Sequence, residues 1–114
     1  MAKYEKVFQG NFNDVVHFLH DDIMKGSASV SYEDGSNYVM GDTRLAVRVY
    51  ERYSMAGGNR VSLNLTIISK EDKIFLTAIT SGGSQAVFFK INTWGEETFL
   101  DLCIESIEKY ISNQ

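Results

Sequence analysis

SGGSQAVFFKINTWGEETFL, residues 81–100, carries in one unbroken line the signals of a tight turn, a strand, a second turn and a helix start. A Gly82-Gly83 pair can adopt the positive φ angles that a two-residue hairpin turn needs. Val87, Phe89 and Ile91 then alternate with Ala86, Phe88 and Lys90, the period of a strand over 85–92. Thr93 followed by Glu96 reads as a capping box, with Thr93 capping a backbone N–H and Glu96 reaching back. Beyond it Phe99, Leu100, Cys103, Ile104, Ile107, Tyr110 and Ile111 form a wide apolar stripe, so a closing helix is expected over 95–112.

Upstream of that segment the pattern is mostly of period two. A third long strand is expected at 73–81, before it one carrying Val61, Leu63, Leu65 and Ile67, and before the Gly57-Gly58-Asn59 loop one carrying Leu45, Val47 and Val49. Ala28, Val30 and Tyr32 alternate with serines, Asp34-Gly35 reads as a hairpin turn, and Tyr38–Met40 as a short return strand ended by Gly41-Asp42. Residues 3–9 form a short first strand. Phe12, Val15, Val16, Leu19 and Ile23 then repeat at helical spacing, so 12–25 is an amphipathic helix. Asn11 or Asn13 is its N-cap, and Gly26 stands where a left-handed C-cap residue belongs.

The order strand, helix, run of strands, helix specifies an α+β fold. Its sheet is an antiparallel meander of about five to six strands, with the N-terminal and C-terminal helices packed on one face in a helix-grip-like arrangement. One domain, 1–114, is expected from the length, and a chain of this size needs no metal or disulfide staple. Proline is absent and no linker, repeat or low-complexity tract interrupts the chain. With 11 Lys+Arg against 15 Asp+Glu the net charge is −4, which disfavours a general nucleic-acid binder. No apolar run reaches the ~18 residues of a membrane span. The lone Cys103 and the absence of a signal-peptide run place the expected protein in the cytoplasm.

Counting outward from Gly82-Gly83 pairs Ala78 with Val87, Leu76 with Phe89 and Ile74 with Ile91 as a core face. The opposite face then holds Phe75, Thr77, Ile79, Phe88 and Lys90, with Arg44, Arg48, Tyr50 and Arg52 on the same side and Ser62, Asn64, Thr66 and Ile68 between. Aromatic residues beside arginines are enriched at protein interfaces. This face is therefore the candidate surface for self-association into a dimer, against the simpler reading that a loop or the 27–40 hairpin covers it.

Other candidates yield less chemistry. His17 and His20, spaced i, i+3 beside Asp21 and Asp22, could share a metal but lie off the apolar stripe and read as solvated side chains. Cys103 lies in an apolar stripe and reads as a buried, inert thiol. Arg44, Arg48 and Arg52 recur every four residues, a file ~13 Å apart that could hold phosphate or carboxylate, although pairing with acidic neighbours is the plainer expectation. Neither glycine pair has a phosphate loop's strand-to-helix context. No nucleophile–base–orienting constellation is present, so no enzymatic activity, cofactor or metal is expected. A small-molecule ligand is the alternative, as an apolar carrier with a pocket between sheet and C-terminal helix lined by Phe89, Leu76 and Phe99.

The segments AVRVYERYSMAGGNRVSLNLT and TAITSGGSQAVFFKINTWGEETFLD, with the AKYEKVFQG start, resemble a small family of uncharacterised bacterial proteins, a domain of unknown function found mainly in Gram-positive anaerobes. The resemblance covers nearly the whole chain. It implies a single-domain cytosolic protein and lends no catalytic residue.

Overall fold

In the computed structural model the backbone is described for residues 1–27, 29–54, 59–82 and 89–114, and side chains for all of these except 54, 59 and 89–97. The elements in order are β1 (Ala2–Gln9), α1 (Phe12–Lys25), β2 (Val30–Met40), β3 (Thr43–Ser54), β4 (Asn59–Lys70), β5 (Lys73–Gly82) and α2 (Phe89–Ser112). The five strands form one antiparallel sheet in the order β1-β5-β4-β3-β2. Strands β2 to β5 are a meander, and β1 is added outside β5. This is the expected α+β architecture, with an N-terminal and a C-terminal helix on a meander sheet.

Because β1 and β2 are opposite edges, the chain between them must cross the sheet. The 14 residues of α1 at ~1.5 Å each give about 21 Å, close to the ~19 Å of four interstrand spacings. The helix starts as expected at Asn11, whose side-chain oxygen accepts from the Asp14 N–H at 3.0 Å. Its buried side, Val15, Val16, Leu19 and Ile23, is the one its periodicity marks. At its end Gly26 has φ −71, a right-handed conformation, so the left-handed cap is not formed. The glycine packs closely instead: a Cβ there would lie 2.6 Å from the tip of the Leu102 side chain of α2, which would have to shift.

The core lies between the helices and one sheet face. Val61, Leu63, Leu65 and Ile67 of β4 and Ile74, Leu76 and Ala78 of β5 meet Phe99, Leu100, Cys103 and Ile107 of α2. The helices are clamped polar-side as well. Asp22 of α1 accepts from Ser106 and from Lys109 Nζ at 2.9 Å, both on α2. At the far edge the Tyr4 hydroxyl of β1 donates to Glu108 of α2 at 2.8 Å.

Three expectations about the strands are corrected. Phe89–Asn92 are helical, not strand, and α2 begins four residues before Thr93, so no helix starts at that position. The reason is that β1 and β4 occupy both edges of β5: Ile74, Leu76 and Ala78 pair with Phe8, Lys6 and Tyr4 and with Ser69, Ile67 and Leu65, leaving no ladder on β5 for 89–92. Positions 83–88, with Gly83, Val87 and Phe88, lie outside the described residues, as do Gly57-Gly58.

Asp34-Gly35 is not a turn either. It lies inside β2, where a bulge between Tyr32 and Asp34 shifts the register. Gly35 is required by close approach, since a Cβ there would meet the Tyr32 hydroxyl at 2.3 Å and the Val47 carbonyl at 2.7 Å. The reversal comes six residues later at Gly41-Asp42, with Gly41 at φ +60 and Met40 paired with Thr43.

The third correction concerns the faces of β3. Its apolar alternation, Leu45, Val47 and Val49, lies on the open face, while Arg44, Ala46, Arg48, Tyr50 and Arg52 lie on the helix side. Pairing decides this: Ala46 faces Ile67, Arg48 Leu65, Tyr50 Leu63 and Arg52 Val61, and those four aliphatic side chains of β4 must be buried.

Candidate functional site

The side chains expected to share one patch are therefore divided between two surfaces. Phe75, Thr77 and Ile79 are on the open face. Arg44, Arg48, Tyr50 and Arg52 are on the other side of the sheet, towards α1 and α2. Phe88 lies outside the described residues, and Lys90 belongs to α2 with its side chain outside them.

The open face has its own order. Val7 pairs with Phe75, Phe75 with Ile68, Ile68 with Leu45, and Leu45 with Tyr38. Directly paired residues point to one face, so these five side chains make a continuous apolar row across all five strands. Val7 is 53% exposed, Phe75 and Ile68 37% each, and Tyr38 59%. Sequence reasoning found Phe75 and Ile68 but missed Val7, Leu45 and Tyr38. The signal was in the two-residue turns at Gly41-Asp42 and Glu71-Asp72: counting outward from each gives Tyr38–Leu45 and Ile68–Phe75 directly.

On the helix side Arg44 and Arg48 do not run to acidic partners among the described residues. Arg48 Nη1 donates to the carbonyls of Val47 at 2.9 Å and Ser36 at 3.2 Å. Arg52 lies 5.0 Å over the Phe99 ring and donates to Thr98 Oγ1 at 2.7 Å. Arg44 forms no hydrogen bond or ion pair among the described residues.

Between Arg48 and Arg52 stands Tyr50, fully buried. Its hydroxyl is 2.9 Å from His20 Nδ1. Burial pushes the Tyr50 phenol well above its ordinary pKa and keeps the hydroxyl protonated; which of the two groups donates is set by the His20 tautomer. Tyr32 completes a trio of rings, edge-on to His20 at 5.2 Å. His20 is thus half-buried and engaged with the sheet, a correction to its reading as a solvated side chain, while His17 is exposed. Among the described residues no three His, Cys, Asp or Glu side chains come together as a metal site.

Cys103 is fully buried, and burial pushes its thiol up to about 12, far from a thiolate nucleophile. Leu76 and Phe99 are fully buried in the common core, and the Phe89 side chain lies outside the described residues. No helix among the described residues is long and apolar enough to cross a membrane.

No curated protein matches this chain in sequence. The profile of a family described only as of unknown function, DUF6054, matches residues 1–111, nearly the whole length, and the chain belongs to that family.

Proposed function

We propose that this protein is a non-enzymatic cytoplasmic interaction module that self-associates through the open face of its sheet. The observation that carries this reading is the apolar row Val7–Phe75–Ile68–Leu45–Tyr38, which crosses all five strands on the side that no helix among the described residues covers. A solvated sheet face alternates polar residues outward. Here five apolar side chains stand in register instead. Contiguous exposed apolar surface of this kind marks an interaction site.

Area and charge favour a second copy as the occupant. Strands of 8–12 residues at ~3.3 Å, five of them ~4.8 Å apart, give a face of roughly 600–900 Å², the scale of the ~800 Å² per partner in a stable interface. The rows flanking the apolar row differ in charge: Lys70 and Lys73 on one side, Glu5, Thr77 and Thr66 on the other. A two-fold axis along the row stacks the row on its own copy. It brings Lys70 and Lys73 over Thr66 and Thr77 of the second copy, with that copy's Glu5 diagonal to Lys73. A two-fold across the row would set Lys70 against Lys70, which like-charge repulsion disfavours.

In the favoured arrangement Ile68 meets Ile68. Oxidation of an Ile68→Cys variant is therefore expected to give a disulfide-linked dimer, with the buried Cys103 silent. Asn37→Cys, on the helix side of β2, is expected to stay unlinked. Absence of linkage at position 68 under conditions that oxidise free thiols would sink the face-to-face arrangement.

A further inference from the structure

The two arginines nearest α1 lie in an unusual place. Arg44 and Arg48 alternate along β3 with Ala46 and Tyr50, both fully buried, on the face that packs against the helices. Arg48 is half-buried there and Arg44 is exposed at the end of the strand. These two meet no carboxylate among the described residues. Arg48 is fixed through Nη1 by the Val47 and Ser36 carbonyls, which orients its guanidinium while its Nε and Nη2 donors have no partner among the described residues. Arg44 forms no such bond at all among them.

Between these arginines and the first two turns of α1 runs a groove of about 270 Å³. His17 and Asn37 add further polar groups to it, Phe12 and Val16 give it an apolar wall, and none of the described residues lining it is Asp or Glu. The larger hollow beyond Arg44, about 570 Å³, is lined by Asp42, Glu71 and Asp72, and Arg44 borders both spaces.

We infer that the groove between α1 and the β2–β3 hairpin binds a small organic anion. Arg44 and Arg48 hold its carboxylate or phosphate group, and its apolar body lies against Phe12 and Val16. A guanidinium presents a planar fork of donors matched to either group, and one already oriented loses less freedom on binding. The volume admits a ligand of benzoate size and is too small for a nucleotide or peptide. The two arginines are on the opposite side of the sheet from the apolar row; Tyr38 and Leu45 of that row also border the groove, so Arg44→Gln, which leaves both in place, separates the two sites.

The test is a two-dimensional amide NMR titration of the intact protein with benzoate and, separately, with inorganic phosphate, each against sodium chloride at equal ionic strength. Saturable shifts centred on His17, Asn37 and Arg48 are expected with at least one anion. Saturation by benzoate alone identifies a carboxylate with an apolar body, and saturation by phosphate alone a phosphate. Arg44→Gln, at an exposed position that supports no other residue, is expected to weaken the binding about tenfold or more while leaving the rest of the spectrum in place. Shifts that never saturate, that chloride reproduces, or that survive unchanged in Arg44→Gln would overturn the site.

Discussion

Phe75 stands directly opposite Ile68 on the open sheet face, and next to each, one residue along its strand, is a fully buried aliphatic: Leu76 and Ile67. The same two strands thus present one apolar pair to the core and another to solvent. Substitution separates their roles. Leu76→Ala is expected to cost about 2–5 kcal/mol at every protein concentration, as a cavity in the core does. Phe75→Asp is expected to remove the dependence of the unfolding midpoint on protein concentration that a dimer confers. Denaturant unfolding at two protein concentrations reads both. A wild-type midpoint that does not move with concentration would count against self-association.

The His20–Tyr50 pair makes a prediction through its asymmetry. His20→Phe leaves the buried Tyr50 hydroxyl without its hydrogen-bond partner, at a cost of about 1–3 kcal/mol. Tyr50→Phe removes the buried hydroxyl itself and leaves only the less buried His20 ring nitrogen unpaired, so it is expected to cost less. The double variant should be more stable than His20→Phe alone. Chemical denaturation of the four proteins gives the cycle, and simple additivity would show that the two side chains are not coupled.

Asp22 links the helices, and its carboxyl is held below the ordinary carboxylate range, first by the Ser106 hydroxyl and then by Lys109. A group whose folded pKa is depressed stabilises the fold above its unfolded pKa and loses that contribution as the pH falls through the folded value. Asp22→Asn is therefore expected to cost about 1 kcal/mol at neutral pH. The difference should vanish in acid, below the usual carboxylate range. Thermal melts of both proteins across the acid limb test this. A gap that stayed constant down to the lowest pH would assign the effect to packing instead of charge.

Cys103 is expected to be silent towards a thiol reagent in the native protein and to react fully in denaturant, because burial keeps the thiol protonated and out of reach. Absorbance of the released chromophore follows the reaction. Fast reaction in buffer would show that α2 leaves the sheet readily.

What was legible in the sequence follows from which signals are local. Helix α1 was legible in its extent, its start and its buried face, since its cap at Asn11 and its stripe from Val15 to Ile23 depend only on neighbours along the chain, but not in the right-handed conformation of Gly26 at its end. The inward residues of β4 and β5 were legible because one face of each is uniformly aliphatic. Strand β3 was misread because its own alternation favours Leu45, Val47 and Val49, and only pairing with β4 turns Ala46 and Tyr50 inward. Asp34-Gly35 has the composition of a turn, but the glycine answers a steric demand from Tyr32 and Val47 that no local pattern displays. The strand expected at 85–92 was misread at 89–92, which are helical, because β1, from the other end of the chain, takes the free edge of β5. The apolar row was legible only in part for the same reason: Val7 joins it through that long-range pairing.

Static light scattering of freshly purified protein at micromolar concentration tests the central claim most directly. The apolar row predicts twice the mass of one chain for the wild type and a single-chain mass for Phe75→Asp. A single-chain mass for the wild type, or an unchanged dimer in Phe75→Asp, would contradict it.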